Sequence, residues 1–175
     1  MNEIILQQDI QQYINDNLKT DIHKLILKGI PFEGVTVQEV ANQLICKQKS
    51  EKKLPSWFHR EKIYYPPKVN IEQTSSEIAA RYKISLVSGK TLLDLTGGFG
   101  VDSFYFSNSF NKVIHCEINK NLSKIASYNF NQLNKTNIVS INENGIDYLK
   151  KSKVTFDVIY VDPSRRSDSK GKVFL

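Results

Sequence analysis

The sequence predicts an α/β fold: a partial sheet of about four parallel strands with helices on its faces, preceded by a small helical unit. Three observations carry this. Between residues 91 and 161 short apolar runs alternate with stretches of helical spacing, the pattern of a parallel sheet covered by its crossover helices. Within it, residues 90–100 read KTLLDLTGGFG, an apolar run that ends at Asp94 and is followed by Gly97, Gly98 and Gly100. That is how a buried strand looks as it turns into a helix with a ligand against the turn, because only glycine lets the backbone approach a ligand so closely. The first fifty residues, by contrast, hold helical spacing and no strand pattern.

The elements follow in order. Ile4, Ile5, Ile10, Tyr13 and Ile14 stand close to helical spacing, and residues 22–27 repeat the pattern until Gly29, Ile30 and Pro31 stop it. Thr36 and Glu39, three apart, form a capping box that opens a helix running to about residue 48. Residues 1–53 are thus expected as a helical N-terminal domain, ending in the basic, solvated run KQKSEKK at 47–53. Residues 54–70 read as a linker that packs: Pro55, Pro66 and Pro67 break any helix, and Trp57, Phe58, Tyr64 and Tyr65 crowd the segment. Those aromatics either pin the linker to the core or are displayed to stack on bases.

The core is expected over 71–175. Thr74 and Glu77 form a second capping box, so a helix starts near Ser75 and leads through Ser88 and Gly89 to the first strand. Strands are expected at 91–95, 112–117, 137–141 and 156–161, with helices at 101–107, 120–133 and 146–151. Residues 172–175 look like the start of another element. Four strands leave one sheet edge bare, so the chain reads as a piece of a longer protein.

At 175 residues the chain has room for one ordinary domain, or a modest domain with an appendage. With 40% hydrophobic and 24% charged residues it falls in the globular class rather than the disordered or membrane classes. No apolar run approaches the roughly 20 residues that span a bilayer. The start MNEIILQQDIQQ lacks the features of a secretory signal, so a cytoplasmic protein is expected. Cys46 and Cys116 stand far apart with no CxxC pair, which signals neither a zinc site nor a disulfide framework, and no metal is expected. A net charge of +6 favours a polyanionic partner such as RNA.

Ligands of open parallel sheets bind at the carboxyl ends of the strands. Those ends collect Asp94, Thr96, Gly97 and Gly98 after the first strand and Glu117 after the second. Asn144 follows the third, and Asp162, Pro163, Ser164, Arg165 and Arg166 follow the fourth. A glycine-rich turn with an acid about twenty residues on, at the end of the next strand, suits a nucleoside ligand, and Glu117 follows Asp94 by 23 positions. Its carboxylate can accept both ribose hydroxyls, and the amides of residues 96–98 can face a polar tail. Asn144 could pair with an adenine edge or serve as a plain turn residue. Arg165 and Arg166 either grip phosphate or form a solvated basic loop.

The series DLTGGFG, HCEIN and VDPSRR, in this order and at these strand ends, resembles the class I S-adenosylmethionine-dependent methyltransferases, which have a Rossmann-like sheet. DLTGGFGVDSF is similar to the form seen in RNA methyltransferases acting on guanine. With EQTSSE ahead and DPSRR behind, the chain resembles bacterial methyltransferases that carry a THUMP-like C-terminal domain. The resemblance implies that the methionine part of the cofactor lies against Asp94, Thr96, Gly97 and Gly98, the ribose on Glu117 and the adenine beside Asn144. It further implies that Asp162 and Pro163 accept hydrogen bonds from an exocyclic amine and aim its lone pair at the sulfonium methyl. Ser164 stands where the family's amino-methylating members have a second proline, and Arg165 where they have an aromatic, which leaves other acceptors open. A non-catalytic cofactor- or RNA-binding module and a nicotinamide-dependent oxidoreductase are the alternatives. TGGFG matches the dinucleotide fingerprint GxGxxG poorly.

Overall fold

The computed structural model describes residues 1–163. It opens with a 3-10 turn, Glu3–Leu6, in which the Ile4 amide donates to the Asn2 side chain. Helix α1 (Gln8–Asp16) buries Ile10 and Ile14, and α2 (Ile22–Lys28) starts at an Asp21 cap and stops at Gly29. Helix α3 (Val37–Lys53) begins with the expected Thr36–Glu39 capping box and runs past residue 48. The expected solvated run at 47–53 forms its last turns. Lys47 is buried and donates to Asn15 Oδ1 at 2.6 Å, and Lys53 donates to the carbonyls of Ile71 and Glu72. These two stems lie on the protein while each ammonium finds an oxygen, whereas Lys49, Glu51 and Lys52 of the same run are exposed to solvent as expected.

The proline-rich segment forms two short helices, α4 (Pro55–Phe58) and α5 (Lys68–Gln73). Pro55 does not break a helix but opens one, because the first turn leaves its amide groups without helical partners and proline lacks only that group. Trp57, Tyr64 and Tyr65 are buried, so three of the linker aromatics pin it to the core and are not displayed for stacking. Helix α6 (Glu77–Ser85) is capped by Ser76, not by Thr74. Thr74 ends α5, and the Glu77 carboxylate is drawn away to the Ser56 amide and hydroxyl and to Arg81.

The sheet follows: β1 (Thr91–Asp94), α7 (Val101–Phe106), β2 (Lys112–Cys116), α8 (Lys120–Gln132), β3 (Ile138–Ile141), α9 (Gly145–Lys151) and β4 (Val158–Tyr160). The strands pair parallel in the order β3-β2-β1-β4. Register places Leu92, Val113, Ile138 and Val158 on one face, over Phe106 and Phe110, and Leu93, Ile114 and Ile141 on the other, against Tyr148 and Leu149 of α9. The chain steps from β1 to β2 to β3 in one direction and then returns to the far side of β1. The strand order therefore reverses between β1 and β4, where ligands of such sheets bind.

The largest core cluster joins Ile5, Ile10, Val40, Leu44 and Trp57 to Phe99, Tyr105, Leu122 and Ile125, so the N-terminal helices pack on the outer side of α7 and α8. The Trp57 ring packs with its centroid 4.9 Å from that of Phe99, tilted, and 5.4 Å from that of Phe104, edge to face. Among the described residues no helix is long and apolar enough to cross a membrane.

Candidate functional site at the carboxyl rim of the sheet

The four strand ends named by the sequence do meet. The Leu95 amide donates to the Tyr160 carbonyl at 3.0 Å, and the Asp162 amide donates to Thr96 Oγ1 at 2.7 Å, which ties the loop after β4 to the turn after β1 across the reversal in strand order. The loop after β3 is tied to that after β2 by Asn142, whose Nδ2 donates to the carbonyls of Glu117 and Ile118. Gly145 packs directly under the first turn. A Cβ there would lie 2.3 Å from the Leu95 carbonyl oxygen, an approach only glycine allows.

Asp94 sits beneath the turn rather than on its surface, with only 1% of the residue exposed. Its Oδ1 accepts from the Thr96 amide at 3.0 Å and its Oδ2 from Ser103 Oγ at 2.6 Å. Burial pushes its carboxyl up to about 7, against the pull of those two donors. Its register partner His115, also buried, is pushed down to about 4 for the same reason and is therefore neutral.

The amides expected to face a ligand tail are already used within the protein. Thr96 donates to Asp94, Gly97 to the Cys116 carbonyl at 2.8 Å, and Gly98 to Glu117 Oε2 at 2.9 Å. The strands end so close together that neighbouring acceptors reach the turn first. Glu117 Oε1 accepts in turn from the Asn119 amide at 2.7 Å. Among the described residues each carboxylate oxygen thus has one protein donor and one lone pair left, a pair of acceptors fit for a vicinal diol. Among the described residues Gly98, at φ 55°, has nothing nearer than the Thr96 carbonyl oxygen at 3.8 Å to where a Cβ would stand, so its missing side chain leaves the surface of the turn open beside Glu117.

Asn144 caps α9, its Oδ1 accepting from the amides of Ile146 and Asp147, which is the turn role weighed for it above. Sequence reasoning passed over two apolar side chains on this rim, Ile118 at 69% and Ile146 at 56% exposure. Their signal was their position, directly after Glu117 and Gly145. It also passed over Lys83 and Tyr160, which meet at Asp162, and Asp102, which both of them reach. Asp162 Oδ2 accepts from Lys83 Nζ at 3.0 Å and from the Tyr160 hydroxyl at 3.1 Å. Pro163 follows, exposed, while Ser164, Arg165 and Arg166 lie outside the described residues.

The residues present fit a nucleoside: an open glycine turn, a diol acceptor, and apolar surface for a flat ring. No family model matches the chain. It is 38% identical over 79 residues to a Mycoplasma mobile protein named an uncharacterized RNA methyltransferase, a match that covers 44% of this chain and 21% of the relative. The crystal structure of a candidate methyltransferase from Porphyromonas gingivalis W83 superposes with a TM-score of 0.78 at 26% identity, covering 94% of this chain and 41% of that one. A tRNA m1G37 methyltransferase of M. jannaschii has a TM-score of 0.41 at 17% identity, covering 49% of this chain and 27% of that one. The chain spans about a fifth of the curated relative's length and about two fifths of the Porphyromonas protein's. It is homologous to an RNA methyltransferase, and its parallel sheet with covering helices has the Rossmann-like fold of methyltransferase structures.

Proposed function

We propose that the chain is the cofactor-binding part of an RNA methyltransferase that takes its methyl group from S-adenosylmethionine. The observation that carries this is the meeting of the glycine turn, Glu117 and Asp162 at the strand-order reversal, with the Asp162 amide bound to Thr96 Oγ1. When bound, the cofactor supplies a methyl group already activated on a positively charged sulfur, so the protein's work is binding and orientation. Glu117 holds the ribose hydroxyls on its remaining lone pairs. Ile118 and Ile146 offer apolar surface to the adenine ring, and the NH2 end of Asn144 is the part left to reach an adenine nitrogen. The turn at 96–98 cradles the methionine end, and Asp94 acts from below, fixing the turn through Thr96 and Ser103. Asp162 and the Pro163 carbonyl accept from the nitrogen to be methylated, a base amine such as that of guanine. Ser164, Arg165 and Arg166 follow as substrate contacts, the two arginines on phosphate. A net charge of +6 supports a polyanionic substrate.

Titration calorimetry of the full chain with S-adenosylmethionine tests the cofactor: one site is expected, weakened roughly tenfold to a hundredfold in Glu117→Ala. A folded chain that does not bind the cofactor sinks the proposal. Transfer of a labelled methyl group to cellular RNA then separates an enzyme from a module that binds without catalysis. Asp162→Ala should abolish transfer and leave cofactor affinity as it was.

A further inference from the structure

Lys83 stands in the last turn of α6, outside every sequence motif named above, yet its ammonium gathers four side chains from three other segments. Nζ donates to Ser75 Oγ at 2.8 Å, to Asp102 Oδ2 at 3.1 Å, to Asp162 Oδ2 at 3.0 Å, and to the Tyr160 hydroxyl. Proton counting orders the cluster. An ammonium has three hydrogens, so one goes to Ser75, one to Tyr160 and the third is shared by the two carboxylates. Ser75 passes its own proton to Asp102 Oδ2 at 2.8 Å, and Tyr160 is left one proton for Asp102 or Asp162, each at 3.1 Å. Burial and the two neighbouring carboxylates push the Tyr160 phenol far above its ordinary range, so it stays a donor.

We infer that Lys83, assisted by Tyr160, is a positioning residue that sets the Asp162 carboxylate for the methyl acceptor. This rests on the methyltransferase reading. The main chain of the loop is held separately, by the Leu95–Tyr160 and Asp162–Thr96 hydrogen bonds. The ammonium therefore governs where the Asp162 side chain points, not whether the strand forms. It also neutralises one of two carboxylates that both lie within 3.1 Å of it. Without it Asp102 and Asp162 repel, and the more exposed one, Asp162 at 56% against 14%, loses the charged donor that sets its carboxylate.

The test compares Lys83→Met, Lys83→Arg and Tyr160→Phe with wild type. In Lys83→Met, kcat for methyl transfer to RNA should fall roughly tenfold to a hundredfold, the loss of charged hydrogen bonds at the acceptor, with calorimetric cofactor affinity and KM for RNA unchanged. Lys83→Arg should recover most of the rate, and Tyr160→Phe, which keeps the ring, should lose about tenfold. Turnover within twofold of wild type in Lys83→Met overturns the inference, as does cofactor affinity falling in step with turnover. If wild type binds the cofactor but transfers no methyl group, the assignment of catalysis to this chain falls instead, and the clamp is judged by tyrosine carbon NMR. The Tyr160 Cζ signal should then shift in both Lys83→Met and Asp162→Asn, and no shift in either overturns the clamp.

Discussion

Asp94 shows how burial decides a residue's role. Its carboxyl titrates near 7 in the folded chain and near 3.8 when exposed, so between those values the folded state holds a proton that the unfolded state has released. Stability from this group is full below pH 3.8 and is lost as pH rises through 7. Asp94→Asn keeps an acceptor for the Thr96 amide and cannot titrate, while His115 titrates alike in both proteins and cancels. The variant should therefore gain on wild type between pH 4 and pH 8 by on the order of 2–4 kcal/mol, read as the difference in melting stability across that range. A difference that stays flat with pH would show that Asp94 is ionised throughout. The acids at 94, 117 and 162 were legible in the sequence because each ends an apolar run. Their depth was not: nothing in DLTGG says that Asp94 points under the turn while Glu117 faces outward. Lys83 and Tyr160 were hidden for another reason, since they stand 77 positions apart and only the β1–β4 pairing brings them together.

At the scale of elements, the alternation of strand and helix was legible because all four strands read as apolar runs, the central β1 and β2 buried on both faces, and are set off by the glycine turn and by Asn119 and Asn144 caps. The start of α6 was misread from Thr74 because TSSE offers overlapping hydroxyl caps, and the tie-break is a contact with Ser56, 21 residues away. The seating of α9 against β1 was equally silent, since a glycine after an asparagine reads first as a turn. It makes a sharp prediction. In Gly145→Ala the new Cβ would sit 2.3 Å from the Leu95 carbonyl oxygen and 2.5 Å from its Cα, both backbone atoms that cannot rotate away. The helix must move off the strand end, at a cost of about 1–3 kcal/mol in denaturant unfolding. The turn after β1 should shift with it and weaken cofactor binding in calorimetry. An alanine variant of unchanged stability would mean that α9 is not seated there in solution.

For the whole molecule, the sequence suggested a helical domain at 1–53, a linker at 54–70 and a core beyond. The apolar cluster does not follow it, because side chains from all three stretches share one interior. A single buried residue shows how the stretches are joined. Asn129 of α8 is fully buried, its Oδ1 accepting from the Tyr64 amide and its Nδ2 donating to the Tyr64 carbonyl, each at 2.9 Å. The side chain thus completes a backbone pairing for the linker 65 positions away. In Asn129→Asp the acceptor survives but the donor is lost, leaving a buried carboxylate facing a carbonyl. The expected loss is about 2–4 kcal/mol. Because the cluster is shared, that loss should fall on the whole chain: calorimetry should show one unfolding transition in wild type, and in the variant one transition at a lower temperature. Two resolved transitions in wild type, or a variant in which only the helical signal melts early, would show that the N-terminal helices are a separate folding unit resting on the sheet.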